Sequence, residues 1–282
     1  MASVSIVLET PLLTVGEFRC PPADAAWSAL NLIGDRPHVV FPRLPVLIEH
    51  ERGTPLVTAP THTVLYNANQ HYRRELRNPR GDDCVFVELS EASLEQLAEA
   101  GATLVDRTNR LVATHAPVDR KTYLLQHLLV RHLRSPEPDP LLAEEAAARV
   151  VLDALRLSPP KTRSGARRAL AEAVKDELAA EGGSTPLHEL AHRLHTSAFH
   201  LARVFRSETG FSVHGFRQAL RLRSALDLLS AHRGDLTALA LELGFSSHSH
   251  FSERFRNEFG VPPSQVRDER RTRALLEVAA RG

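Results

Sequence analysis

The side chains best suited to chemistry form a pattern that occurs twice near the end of the chain, at an offset of 50 residues. The first copy carries Ser197, His200, Phe205, Arg206, Glu208, Gly210 and Arg217, and the second carries Ser247, His250, Phe255, Arg256, Glu258, Gly260 and Arg267. Guanidinium groups bond well to phosphates and to guanine, while serine and histidine offer further hydrogen bonds to DNA. The pattern therefore indicates binding chemistry rather than catalysis.

Each copy predicts two short helices joined by a turn. In the first copy we expect Thr185 to cap one helix, and Ser197 to cap a second helix that Gly210 ends. Ser247 and Gly260 take the places of Ser197 and Gly210 in the second copy. A helix-turn-helix of this kind places its second helix in the major groove of DNA. A longer helix with an apolar stripe lies between the two units and would hold them apart.

Two motifs lie within these units. They are S-x-x-H-L-x-R-x-F-R, from Ser197 to Arg206, and G-F-S-S-x-S-x-F-x-x-x-F-x-x-x-F-G-x-P-P, from Gly244 to Pro263. Through these motifs residues 163 to 270 resemble the bipartite DNA-binding domain of the AraC/XylS family of bacterial transcription regulators. The resemblance implies double-stranded promoter DNA and RNA polymerase as partners, and a protein that is not an enzyme.

The resemblance also implies that exposed positions early in each second helix contact DNA bases. These positions carry Ala198, Phe199, Ala202 and Arg203 in the first unit, and His248, Ser249, Ser252 and Glu253 in the second. Arg203 suits guanine, His248 and Ser249 suit polar base edges, and Phe199 suits thymine methyl groups. The candidates for phosphate contacts are Arg206, Arg217, Arg256 and Arg267. Glu253 departs from the family pattern, because it would either accept from a cytosine amino group or repel phosphate.

The first third of the chain consists of short apolar runs separated by turn residues. The runs are Val4 to Leu8, Leu12 to Phe18, His38 to Phe41, Pro45 to His50, Thr63 to Tyr66, His71 to Leu76 and Cys84 to Leu89. Strands at this spacing predict a jelly roll, and the family resemblance implies a cupin-like sensor domain here. The predicted fold class is therefore α+β, with an antiparallel β jelly-roll sensor, a helical connector and an all-α domain that holds two helix-turn-helix units.

Changes in composition divide the chain into three regions. We predict the sensor domain in residues 1–90, a helical connector and candidate dimerisation region in residues 91–160, and the DNA-binding domain in residues 161–282. Connector helices are predicted from Ser93 to Gly101, from Tyr123 to Leu133 and from Leu141 to Leu157. The leucine stripe of the second of these helices suits a dimer seam or a core, and a core is the favoured interpretation.

The signal that the sensor detects is open between three alternatives. Cys20 and Cys84, with His38 or His71, could bind a soft metal or form a thiol switch, although two buried small apolar residues are the favoured interpretation. A small organic effector in an apolar cavity, near Trp27, Phe41, Tyr66 and Tyr72, is the third alternative. No cofactor is required, and a thiol-bound metal is the one cofactor that these residues suggest.

Composition limits the other classes of protein. The chain has 282 residues, 43% of them hydrophobic and 24% charged, and a formal charge of +1. Two cysteines exclude a disulfide-rich scaffold and a four-cysteine zinc module. They also disfavour the alternative of an Ada-like repair protein with an appended DNA-binding domain, which would need a cluster of cysteines. A cupin-type metalloenzyme would need a histidine pattern that the sequence lacks. No apolar run reaches the length of a membrane span and no signal peptide is evident, so we expect a cytoplasmic regulator without a membrane partner.

Overall fold

The computed structural model describes residues 1–51, 54–157, 165–180, 185–231 and 235–281. Ten strands lie in the N-terminal part. They are β1 (Ser3–Glu9), β2 (Leu13–Cys20), β3 (Asn31–Leu32), β4 (His38–Pro42), β5 (Val46–His50), β6 (Leu56–Val57), β7 (His62–Tyr66), β8 (His71–Leu76), β9 (Asp82–Leu89) and β10 (His115–Pro117). Each of the apolar runs predicted to be a strand forms one. Strands β4 and β5 alternate between buried and less buried residues, whereas every residue of β7 is buried.

The strands form two antiparallel sheets. One has the order β1-β2-β9-β4-β7-β10 and the other the order β3-β8-β5-β6. Side chains of both sheets meet in one cluster, with Val46 and Ile48 from the smaller sheet and Val64 and Tyr66 from the larger. Strand β10 pairs with β7, so the larger sheet includes residues beyond the predicted limit at residue 90. The N-terminal region is therefore rich in β-structure.

Eleven α-helices are described after the ninth strand. They are α1 (Glu91–Glu99), α2 (Arg120–Leu133), α3 (Pro140–Arg156), α4 (Gly165–Ala180), α5 (Leu187–Arg193), α6 (Ala198–Thr209), α7 (Val213–Ala231), α8 (Leu236–Glu242), α9 (His248–Phe259), α10 (Pro263–Arg267) and α11 (Thr272–Arg281). The C-terminal region is thus helical. Among the described residues, no helix combines the length and the apolar character needed to cross a membrane.

Two predicted helix starts are wrong. Helix α1 begins at Glu91, two residues before the predicted Ser93, because the side chain of Ser90 caps it by accepting from the backbone N–H of Ser93. Helix α5 has Pro186 at its cap position and no side-chain cap. Thr185 is buried one residue further out, so it does not occupy the cap position.

The leucine stripe of α2 lies in the core. Leu125, Leu128 and Leu129 are each no more than 2% exposed and belong to the main hydrophobic cluster. The same cluster includes buried residues of α3, among them Val150 and Val151. The favoured interpretation of the stripe therefore agrees with the packing of the single chain.

Two hydrophobic clusters divide the helical region differently from the predicted domains. The main cluster runs from the larger sheet through α2 and α3 to the second half of α7, α8, α9 and α11. A smaller cluster joins α4, α5 and α6 to the start of α7. Helix α7 therefore belongs to both clusters, through Phe216 in the smaller one and Leu226 in the larger. The boundary predicted between residues 160 and 161 lies outside the described residues.

Candidate nucleic-acid interface

The first helix pair consists of α5 and α6. The chain turns between them with His195 at a φ of 49°, and the N–H of Thr196 donates to the carbonyl of Ala191 over 2.9 Å. Ser197 then caps α6 by accepting from the N–H of His200 over 3.2 Å, and Gly210 ends α6 with a φ of 78°. Buried side chains hold the inner face of α6, so its opposite face is left to solvent.

The second helix pair, α8 and α9, repeats this construction. Phe245 donates to the carbonyl of Ala240 over 2.9 Å, Ser247 accepts from the N–H of His250 over 3.1 Å, and Gly260 ends α9 with a φ of 76°. The second helices of the two pairs correspond at an offset of 50 residues, whereas α5 and α8 correspond at 49. The second turn is therefore one residue longer than the first, and Gly244, with a φ of 75°, lies in it.

The residues predicted to contact bases lie at solvent on α6 and α9. Phe199 is 91% exposed, and Arg203, His248, Ser249 and Glu253 are also exposed. The smaller residues of the set, Ala198, Ala202 and Ser252, are half-buried. An aromatic ring that is almost fully exposed contributes little to folding, so Phe199 is available for a partner.

Hydrogen bonds on these two helix faces are long and lie at solvent. Arg203 approaches His200 at 3.4 Å, Ser252 approaches His248 at 3.2 Å, and Arg254 donates to His250 over 3.4 Å. Such contacts are weak, so these side chains can exchange them for contacts with DNA. Arg254, exposed next to Glu253 on α9, was not among the predicted contact residues.

The predicted phosphate-contacting arginines differ in their surroundings. Arg206 and Arg256 are exposed. Arg217 is half-buried, and its guanidinium donates to the carbonyl of Thr185, which connects α7 to the start of the first helix pair. Arg267 is also half-buried. In this structure Arg217 thus supports the first helix pair, and its phosphate contact stays a prediction.

Helix α7 is joined to the N-terminal region by Arg223, which is 1% exposed. Its guanidinium donates to the carbonyls of Pro60 and, over 3.2 Å, Val118. It also lies over the ring of Tyr123, with 4.9 Å to the centroid, and 3.9 Å from the carboxylate of Glu258 on α9. One arginine thus contacts the sheet region, α2 and the second helix pair.

The four candidate residues for detecting a signal, Cys20, Cys84, His38 and His71, are only partly brought together; we call them the sensor candidates. Cys20 pairs with Asp82, and Phe18 pairs with Cys84, so the two buried cysteines lie diagonally on neighbouring strands β2 and β9. Burial raises the pKa of both thiols, which disfavours the reactive thiolate. His38 bonds to Glu88 at 3.2 Å, and burial lowers its pKa.

A cavity of about 330 Å³ lies between the two sheets. His38 and Cys84 line it together with Tyr66 and Tyr72, whereas Cys20 and His71 are not among its lining residues. In the described part of the chain, no group of three or more His, Cys, Asp or Glu side chains is placed to hold a metal ion. The four sensor candidates therefore do not form one site.

Comparisons with known proteins agree with this geometry. Residues 190–269 match the family described as "Helix-turn-helix domain". An uncharacterized HTH-type transcriptional regulator of Haemophilus influenzae is 35% identical over 81 residues, which are 29% of this chain and 27% of that protein. The HTH-type transcriptional regulator MtrA of Neisseria gonorrhoeae is 36% identical over 69 residues, which are 24% of this chain and 23% of that protein.

One solved structure is that of a transcriptional regulator from Chromobacterium violaceum, described by its AraC-type DNA-binding domain. It is 30% identical to this chain, with a TM-score of 0.33. The match covers 36% of this chain and 92% of that protein's chain. The match to the two curated relatives spans only about a quarter of their length. The family match at residues 190–269 includes both helix pairs from Leu190 of α5 onwards, with Ser197 and Ser247. Residues 190–269 thus carry a helix-turn-helix domain that is similar to that of bacterial HTH-type transcriptional regulators.

Proposed function

We propose that this protein is a sequence-specific transcription regulator that places α6 and α9 in successive major grooves of promoter DNA and responds to an effector. The observation that carries this proposal is the repeated capped helix with an exposed N-terminal face, mounted twice on one helix. Helix α7 has 19 residues, or about 28 Å at 1.5 Å per residue. Recognition helices on one face of DNA lie about 34 Å apart, which α7 and its flanking turns can span.

The exposed side chains suggest how sequence is recognised. Arg203 donates to guanine in a bidentate contact, His248 and Ser249 bond to base edges, and Phe199 packs on thymine methyl groups. Ala198 and Ala202 let α6 approach the groove closely, and Ser252 and Glu253 complete the face of α9. The guanidinium groups of Arg206, Arg217, Arg256 and Arg267 contact phosphates and set the position of the protein on the duplex.

The two sheets support a jelly-roll, cupin-like sensor. The cavity between them, lined by Tyr66 and Tyr72, has a volume that suits a small organic molecule. A small effector is better supported than a thiol switch, because Cys20 and Cys84 are buried with raised pKa values. The same proposal includes a division into three regions, residues 1–90, 91–160 and 161–282. It also includes a cytoplasmic location, a homodimer and contact with RNA polymerase.

The first experiment is selection of genomic fragments by the purified full chain at a stated salt concentration, followed by footprinting. Two half-elements about 10 base pairs apart are expected from the spacing of the recognition helices. Binding that depends on salt but not on sequence, with and without candidate effectors, would contradict the proposal.

The roles of two arginines on α6 are then separated by substitution. Arg203→Ala is expected to lose about 1–3 kcal/mol on the selected site and little on random DNA, because it removes a base contact. Arg206→Ala is expected to weaken both DNAs alike and to reduce the salt slope by about 1. Arg107→Ala, in an exposed turn of the connector, is the control and should bind like wild type. An equal loss on both DNAs for Arg203→Ala would refute its role in recognising a base.

A further inference from the structure

A larger cavity lies between the N-terminal region and the DNA-binding region, and we name it the interdomain cavity. It has a volume of about 770 Å³. Its arginines are Arg19, Arg43, Arg80, Arg131, Arg134 and Arg270, and its acidic residues are Asp82, Asp83, Asp227 and Glu269. Cavities of this size hold small metabolites, and an excess of arginine favours an anion.

Carboxylates form ion pairs with three of these arginines, and the other three have no such contact within the described residues. Asp83 lies 3.2 Å from Arg19 and 2.9 Å from Arg43, and the buried Glu17 pairs with Arg43 and Arg134. The three other arginines are Arg80, Arg131 and Arg270. Within the described ranges, none of these three has a carboxylate within 4.0 Å.

The arginine on α2 is the strongest of these observations. The guanidinium of Arg131 bonds only to backbone, at the carbonyls of Val266 and Arg267, and burial lowers its pKa. The carboxylates of Glu269 and Asp268 raise its pKa by less than burial lowers it, and neither contacts the guanidinium. A partly desolvated cation that no carboxylate contacts is costly. An anion in the interdomain cavity would supply the missing charge.

A buried histidine adds a second requirement for the ligand. The side chain of His127 is 5% exposed and lines the cavity, and its Nδ1 lies 3.5 Å from Asp227. Its Nε2 is buried, with no hydrogen-bond partner among the described residues. Since the carboxylate favours a proton on Nδ1, Nε2 is left as an acceptor. A ligand hydroxyl group would satisfy it.

The walls of the cavity come from both the N-terminal region and the DNA-binding region. Arg80 precedes β9, Arg131 lies on α2, and Arg270 follows α10, while Ser224 and Leu228 belong to α7. An adjoining cavity of about 430 Å³ shares Arg43, Arg80 and Ser224 with it and continues along α7. A ligand here would therefore contact the helix that carries both recognition helices.

We propose that the interdomain cavity binds a small hydroxylated polyanion, with Arg80, Arg131 and Arg270 on its acidic groups and His127 accepting from its hydroxyl. The ligand then joins α7 to the N-terminal region and sets the arrangement of α6 and α9. This inference rests on the proposed function, because it adds a second effector site to a DNA-binding regulator. It differs from the cavity between the sheets in place, charge and lining residues.

The test uses citrate, which carries three carboxylates and one hydroxyl, and calorimetric titration of the full chain at low salt. Citrate is expected to bind one site per chain, and the double variant Arg80→Gln/Arg270→Gln is expected to bind it at least about tenfold more weakly. Both side chains are exposed, so the variant should fold. The matched control is Arg203→Gln/Arg206→Gln on α6, which should bind citrate like wild type.

A second probe tests the hydroxyl contact. Propane-1,2,3-tricarboxylate lacks the hydroxyl of citrate, so it leaves Nε2 of His127 without a partner and should bind several-fold more weakly. Equal binding of the two probes would overturn the role of His127. No citrate binding, or equal binding by wild type and the cavity double variant, would overturn the site itself.

DNA binding separates this inference from the proposed function. Citrate is expected to change the affinity for the selected DNA site by the same factor by which that DNA changes the affinity for citrate. Citrate that binds without this coupling would overturn the link to α7. A chain that selects a DNA motif but ignores citrate keeps the proposed function and loses this site. A chain that binds citrate but selects no motif loses the proposed function.

Discussion

Replacing Arg223 with methionine tests whether the N-terminal region and the DNA-binding region form one stable unit. Arg223 lies on helix α7, is fully buried, and donates to the backbone carbonyls of Pro60 and Val118 in the N-terminal region. Methionine keeps much of the apolar stem but provides no donor, so both carbonyls lose this partner. Each buried polar group left without its partner costs about 1–3 kcal/mol, which gives about 2–6 kcal/mol for the pair.

One contribution opposes this loss. Folding buries the charge of Arg223 with only the distant carboxylate of Glu258, 3.9 Å away, as its counter-ion. Methionine removes the cost of burying that charge. We therefore expect Arg223→Met to lower the free energy of unfolding by about 2–4 kcal/mol, which is the lower part of the range of about 2–6 kcal/mol given by the two carbonyls.

The assay is urea unfolding of the full chain, followed by circular dichroism. Arg107→Met, in an exposed turn, is the control and should change the free energy of unfolding by less than about 0.5 kcal/mol. A loss below about 1 kcal/mol for Arg223→Met would refute the reasoning, because it would mean that the two carbonyls find other partners or that the interface is not maintained in solution.

Three further predictions follow from buried parts of the N-terminal region. Gly81→Ala should destabilise the protein strongly in thermal unfolding, because Gly81 has a φ of 94° and a Cβ there would lie 2.2 Å from the carbonyl oxygen of Cys20; an unchanged Tm would contradict this. Burial lowers the pKa of His50 to about 4 and that of His115 to about 3. The unfolded chain therefore takes up protons first as pH falls below about 6.5, and each histidine removes about 2 kcal/mol of stability between pH 7 and pH 5. His50→Gln should flatten the stability profile by its share, and parallel profiles would refute this. Cys84 is buried and its pKa is raised, so it should react with iodoacetamide only after urea unfolding. Fast labelling of the native chain would contradict this and would favour the thiol-switch hypothesis.

The helical part of the candidate site was predictable because its signals are local. Ser197 and Ser247 cap α6 and α9, and Gly210 and Gly260 end them, as the repeated pattern predicts. Capping and left-handed glycine depend on a few neighbouring residues. The exposure of Arg203 and Phe199 was implied by the family resemblance, since helical periodicity alone groups Phe199 with the apolar residues. The cap at Thr185 failed because Pro186, already extended, occupies the cap position itself.

Seven of the ten described strands and the paired helices were thus predictable from the amino-acid sequence, since helical spacing, caps and short apolar runs act within a turn or a strand. Three features depend instead on tertiary packing: β10 joins the larger sheet, Arg223 reaches Pro60 and Val118, and Arg80, Arg131 and Arg270 line one cavity. These residues are far apart in the chain. Their proximity depends on how sheets and helices pack, which no local pattern encodes.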